Sequence, residues 1–322
     1  MRKSSIEYRA VLTPAFRRIG MGGCLLYMAA YMSLSALLTA LGQEAWKVCL
    51  AFVAGMMLSG PFNAYLGDTY RRKHVFIGAL LGMLAAIAGY VYWDGVTSRA
   101  VLAAVQGACF GLASAAGVTV SIDITVSGNR TSGNQIYALM NRIGMFAGIV
   151  LGCWLYQREG MPAALYLSMA FGLIGVLEAV FVYVPFRAPI GVSVVNLDRF
   201  LLLRALLPAF NVLVIAVALG LAVLWLENFL PWYVCALLLV LPLFFVASLV
   251  KMFVKLSHHC QRGTGNTTLN LAVDAGWISG MAVAVCMGCG IITAYWALGI
   301  MLFALLLLFL VTYPYYRKKR VR

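Results

Sequence analysis

The sequence predicts an all-α integral membrane protein of about ten transmembrane helices in two pseudo-symmetric bundles, six helices in the first half and four in the second. Three observations carry this. The chain has 322 residues of which 63% are hydrophobic and 11% charged, a composition outside the range of soluble domains. Its apolar runs recur at lengths that cross about 30 Å of hydrocarbon. Finally, Arg130-Thr131-Ser132-Gly133-Asn134 returns 132 residues later as Arg262-Gly263-Thr264-Gly265-Asn266, each copy at the mouth of a long apolar helix. Eight residues past Asn134 and Asn266 stand Arg142 and Asp274, and two further on Gly144 and Gly276. Such an echo marks two related halves, and in a hydrophobic chain it points to a transporter with its site between them.

Taken in order, the apolar runs place spans at 20–42, 46–66, 74–93, 99–121, 134–157 and 163–185, then at 206–227, 232–254, 273–294 and 296–314. The expected division is a first bundle over 1–185, a linker over 186–205 and a second bundle over 206–322. The first run is too long for a removable leader and lacks a small-residue cleavage site, so it reads as an anchor that stays. Tyr90, Tyr92, Trp93, Trp225, Trp232, Tyr313, Tyr315 and Tyr316 gather near span ends as an interfacial belt.

Ten spans also order the net charge of +14. Arg2, Lys3, Arg9, Arg17 and Arg18 fall on the same side as Arg71, Arg72, Lys73, Arg130, Arg187, Arg199, Arg204, Lys251, Lys255, Arg262 and the basic run from Arg317 to Arg322. Only Lys47, Arg99 and Arg158 fall opposite, and Arg142 lies deep inside a span. This is the positive-inside pattern. It places both termini in the cytoplasm of a cell with a bacterial-type inner membrane, with anionic lipid as the partner of the basic loops. The charge is therefore a topology signal, and no nucleic acid is expected. The sequons at Asn129 and Asn266 lie on the cytoplasmic side and are discounted.

The eight cysteines fall almost entirely within apolar runs, where they read as packing thiols rather than a disulfide framework. Cys286 and Cys289 have redox-motif spacing but no βαβ context. His258, His259 and Cys260 are adjacent and cannot close a tetrahedral metal site alone. With no Ser/His/Asp or Cys/His arrangement in view, no enzyme activity, cofactor or metal is expected.

The loop after the second span reads Gly67-Asp68-Thr69-Tyr70-Arg71-Arg72-Lys73. In position, sidedness and the residues Asp68, Arg72 and Lys73 it resembles the signature loop of the major facilitator superfamily, though Ala64, Thr69 and Arg71 depart from that pattern. The resemblance implies a latch that holds the outward-facing state, in which Asp68, Arg71 and Arg72 of the loop meet Asp123 at the end of the fourth span. A carboxylate–guanidinium–carboxylate set at a low-dielectric helix interface outweighs an exposed pair and can break discretely when the halves rock. The stripe Gly144, Gly148, Gly152 resembles the fifth-helix motif of the family's proton-coupled exporters, with Ile149 and Cys153 departing from it. Its counterpart is Gly276, Gly280, Ala284. Small residues four apart also serve close helix packing without further function. The stretch from Arg262 to Asp274 resembles the start of the family's eleventh helix.

Asn266, Asn270 and Asp274 are spaced by four and share one helical face. At about 1.5 Å per residue Asp274 lies roughly 12 Å beyond Asn266, and Arg142, with Asn141 beside it, sits at the same depth in the other half. Charges within apolar helices demand a partner or a watery cavity. Repeat symmetry places Arg142 and Asp274 on opposite walls of a wet central chamber, as a structural ion pair or as a substrate site with Asp274 as protonatable coupling group. Glu178 is a third intramembrane charge, and Gln106 and Asn211 are further polar candidates for cavity contacts or helix-packing bonds. Two spans precede Arg262 where four precede Arg130, so counterparts of the second and third helices are absent from the second half. Lipid or an oligomeric partner would cover that flank. The resemblance implies a secondary transporter of a small organic solute, coupled to protons and working in efflux. The alternative is a non-transporting membrane protein that binds partners or lipids.

Overall fold

The computed structural model describes residues 11–184, 193–197, 200–227, 240–258, 261–288 and 290–320, which are mostly helical and contain no strand. Outside them lie Arg2, Lys3, Arg9, Arg187, Arg199, Trp232, Cys235, His259, Cys260, Cys289 and Arg322, the first part of the expected span 232–254, and the side chain of Arg262.

Thr13 caps α1 (Pro14–Leu41): its hydroxyl accepts the Phe16 N–H at 3.2 Å, and Pro14 fills a first-turn position where no N–H is needed. The helix stops at Gly42, whose φ of 56° strains any residue with a Cβ. The second span is interrupted. α2 (Ala45–Ser59) passes through a tighter turn at Gly60–Phe62 into short α3 (Asn63–Thr69), because Pro61 cannot donate to the preceding turn. α4 (Arg72–Tyr92), α5 (Val96–Asp123), α6 (Arg130–Glu159) and α7 (Met161–Val180) complete the first half. The second half contains α8 (Leu206–Glu227), α9 (Val240–Leu256), α10 (Arg262–Cys286) and α11 (Ile291–Leu307), the last continuing through a π turn into α12 (Tyr313–Lys319). Eight stretches suffice in length and apolarity to cross a membrane. One of them, Pro14–Thr69, is two spans parted at Gly42, and α9 contributes 17 described residues. The total is ten.

The ninth span departs most from expectation. It runs Arg262–Cys286 rather than 273–294, because the polar residues Thr264, Asn266, Thr267, Thr268 and Asn270 belong to the helix and conceal its first turns from an apolarity count. The sixth also ends early, at Val180 rather than 185.

Close helix contacts reveal the internal repeat. A Cβ on Gly144, Gly148 or Gly152 of α6 would collide with the carbonyls of Cys24, Met28 or Met32 on α1. A Cβ on Gly276 or Gly280 of α10 would collide with the carbonyls of Leu213 or Val217 on α8. Both seams step by four residues on both helices, so α10 repeats α6 and α8 repeats α1. Just before each seam the same device recurs. Gly133 packs on Thr125 at the end of α5, and Gly265 on Ser257 at the end of α9. The Thr125 hydroxyl donates to the Ser121 carbonyl at 2.6 Å and the Ser257 hydroxyl to that of Phe253 at 2.7 Å. The offset of 132 thus reaches back into α9 and makes it the counterpart of α5. From Cys24 to Gly144 is 120 residues, whereas from Leu213 to Gly276 is 63. The deficit of 57 residues matches two spans with their turns.

The main apolar core runs without a break from the first half into α10 through Trp277, Ile278 and Met281. Replacing Gly148 with Leu overpacks the α1–α6 seam and should lower stability by roughly 1–3 kcal/mol. Thermal unfolding of purified protein should show a reduced midpoint for Gly148→Leu and an unchanged one for Gly78→Leu, where a side chain meets open space.

Candidate functional site

Tyr27 and Tyr31 are one turn apart on α1, Asn270 and Asp274 one turn apart on α10, and Arg142 faces both helices from α6. The three helices bring these five side chains together at one buried point. Arg142 and Asp274 form a direct ion pair through Nη1 and Oδ1, with side chains 5% and 2% exposed. Arg142 Nη2 donates to Asn270 Oδ1 at 3.0 Å, and Nη1 also faces the Met145 sulfur at 3.3 Å. Tyr31 donates to Asp274 Oδ1 at 2.9 Å and Tyr27 to Oδ2 at 3.1 Å. The Tyr27 hydroxyl shares a second bond with Ser114 at 2.9 Å, and its ring lies 5.1 Å beneath the Arg142 guanidinium. Two full charges are tolerated at this depth because they are paired and most of the carboxylate's acceptor positions are filled.

This corrects the expected wet chamber with its charges on opposite walls. The repeat does place Arg142 and Asp274 at one depth, but the halves close until the two side chains touch. Beyond the pair the buried rings of Phe146 and Trp277 meet edge to face, centroids 5.1 Å apart. Toward the end of the bundle that carries the basic loops a narrow cleft remains, with room for about one or two water molecules. Met56, Ser114, Phe200, Thr267, Asn270 and Asp274 are among its lining residues.

The linker covers that cleft. The Asn196 N–H donates to the Pro61 carbonyl at 3.1 Å, where the second span breaks, and the buried Phe200 ring lies on Gly60 so closely that a Cβ would overlap it. On the other side the Leu202 N–H donates to the Thr268 hydroxyl at 2.9 Å. Phe200 therefore stands between α2 of one half and α10 of the other.

The remaining sequence-predicted residues divide. Arg72 donates to Asp68 at 3.0 Å, to both oxygens of Asp123 at 2.9 and 2.7 Å, and through Nε to the Gly67 carbonyl. Asp68, Arg72 and Asp123 thus form one half-buried cluster, while Arg71 is exposed at the cap of α4 and contributes its backbone carbonyl to the first turn. Lys73 caps α7 by donating to the carbonyls of Val180 and Val182. Gln106 is not a cavity contact: it accepts from Tyr90 at 2.7 Å and donates to Ser33 at 3.0 Å within the first bundle. Asn211 likewise donates to the Ala304 carbonyl at 2.8 Å and binds α8 to α11. Glu178 lies half-buried in the last turn of α7 instead of mid-span. Asn141 is buried beside Arg142 in sequence but turns to Gly23 and the Tyr137 hydroxyl, without a hydrogen bond of good geometry to a described residue. Arg130 and Arg262 open α6 and α10, and Asn134 and Asn266 are buried one turn in. Sequence reasoning passed over Tyr27, Tyr31, Ser114 and Phe200. The available signal was two tyrosines one turn apart in mid-span, away from any interfacial belt.

Two bundles related by an internal repeat and joined on a buried charged pair define a multi-pass membrane protein built of two related helical halves. The chain belongs to the major facilitator superfamily, whose family model matches residues 19–194. The uncharacterized MFS-type transporter YqjV of Bacillus subtilis (strain 168) is 25% identical over 175 residues, 54% of this chain and 42% of that protein, so the match spans less than half of the relative's length. Among solved structures, the human organic anion transporter MFSD10 (TETRAN) aligns with a TM-score of 0.60 at 14% identity, covering 92% of this chain and 100% of that one. That likeness concerns the fold.

Removing one member of the pair strands the other charge, which costs about 3–5 kcal/mol, whereas an apolar replacement of both is far cheaper. Arg142→Met should therefore lower the unfolding midpoint more than Arg142→Met combined with Asp274→Leu, as read by thermal denaturation in nanodiscs.

Proposed function

We propose that the protein is a secondary transporter that moves a small organic solute by alternating access, with Asp274 as the protonatable coupling group and efflux as its working direction. The observation that carries this reading is the Arg142–Asp274 pair, which ties the first six spans to the last four at one buried point. Set among apolar contacts between the halves, a buried ion pair is either made or broken and so supplies two discrete states. Protonation of Asp274 removes the charge that holds Arg142. The guanidinium and the tyrosine hydroxyls are then released and the halves can part.

On this reading the basic end of the bundle is cytoplasmic by the positive-inside rule, and the membrane is an inner membrane with anionic lipid against the basic loops. The cleft then lies toward the cytoplasmic end, beneath the linker, which favours export. The Asp68–Arg72–Asp123 cluster is the part of the first bundle that latches as the halves rock. Lipid or a second copy fills the flank left by the missing hairpin.

A second reading, a non-transporting protein that acts through partners or lipids, draws support from the closed pair and the buried Phe146–Trp277 contact. Labelling separates the two. In a variant otherwise free of cysteine, Ser114→Cys on the cleft wall should react with a thiol reagent applied from the cytoplasmic side, and transported solute should slow the reaction. A cysteine that never reacts leaves the non-transporting reading in place. In proteoliposomes, Asp68→Asn should reduce solute flux several-fold while membrane insertion and yield stay unchanged. Unaltered flux would remove the latch.

A further inference from the structure

We infer that the solute is a compact organic cation, a protonated amine with a small apolar body, which docks on Asp274 from the cleft. This rests on the cleft being the transport site. Among the described residues that line the cleft, Asp274 is the single charged one, and Arg142 is not part of the wall. A ligand entering from the basic end therefore meets a carboxylate before it meets the guanidinium.

The hydrogen inventory points the same way. A carboxylate has about four acceptor positions. Three are filled here: Oδ1 takes Arg142 and Tyr31, and Oδ2 takes Tyr27. One position on Oδ2 is left. With Tyr27 donating to Oδ2, the Ser114 hydroxyl donates to the Tyr27 oxygen, so Ser114 presents lone pairs to the cleft. The Thr267 hydroxyl faces the backbone carbonyls of Thr264 at 2.9 Å and Phe200 at 3.4 Å, and gives its one hydrogen to one of them. It too offers only lone pairs. The amides of Asn63 and Asn270 bring neutral donors. An ammonium entering here gains acceptors on several sides without breaking the Arg142–Asp274 pair.

An anion faces the opposite situation. Both tyrosine hydrogens are committed to Asp274, and the Arg142 guanidinium is divided between Asp274 and Asn270. No positive charge reaches the wall until the pair has already opened. In this closed state the cleft has room for little more than water, so the apolar surfaces of Met56 and Leu271 would take the solute's hydrocarbon as the halves part.

The test uses the full chain in nanodiscs and two matched probe series, benzylamine and its ring-substituted analogues against benzoate and the same substituents. At neutral pH the amines should raise the unfolding midpoint and the carboxylates should not. The amine response should fall at least tenfold in apparent affinity in Asp274→Asn and persist in Asp94→Asn, where the altered carboxylate is exposed and pairs with Arg99. If Asp274→Asn fails to fold, the wild-type comparison of the two series still decides the sign of the charge, and Asp274→Glu should retain amine binding. Carboxylates that bind while amines do not would overturn the cation assignment and leave the transport site standing. Silence from both series would overturn the two together.

Discussion

Everything at the centre of this protein is arranged around one buried pair, Arg142 against Asp274. In hydrocarbon neither charge could stand alone, so the two helices that carry them must meet, and the rest of the interface follows. Tyr27 and Tyr31 occupy two more of the carboxylate's acceptor positions, Asn270 accepts from the guanidinium's other arm, and Phe146 packs on Trp277 on the far side. Because the pair joins α6 of one half to α10 of the other, its electrostatics couple the two bodies directly.

The glycine seams explain how that pair can form. Gly144, Gly148 and Gly152 let α6 lie on the backbone of α1, and Gly276 and Gly280 do the same for α10 on α8. Each seam fixes the rotation of a cavity-side helix about its own axis. With α6 and α10 so oriented, Arg142 and Asp274 point inward at one depth. The seams are therefore packing devices whose consequence is electrostatic, and the resemblance of the first to an exporter motif needs no separate role.

The linker takes part as well. By placing Phe200 between Gly60 and the start of α10 it covers the cleft that ends at Asp274. The Gly60–Pro61 break in the second span makes this possible, since it provides a carbonyl for Asn196 and a surface without a side chain for the ring. The Asp68–Arg72–Asp123 cluster stiffens the same end of the first bundle and secures the turn between α3 and α4 to α5.

Much of the fold was legible in the chain itself. Apolar run length gave ten spans, the repeat at Arg130 and Arg262 gave two halves, and the loop at Asp68–Lys73 gave the family resemblance, because each depends on local composition or short spacing. The same local signals misplaced the ninth span, whose polar first turns are helical only because α9 and the linker supply Ser257, Phe200 and Leu202 as neighbours. The sequence by itself determined that an arginine and an aspartate sit at equal depth in related helices, since repeat spacing and helical rise fix depth. Only the tertiary structure decided that they touch, that Gln106 and Asn211 serve packing, and that tyrosines from α1 complete the site. Those outcomes depend on how far two bundles approach and how each helix is rotated, and these are set by contacts between residues far apart in the chain.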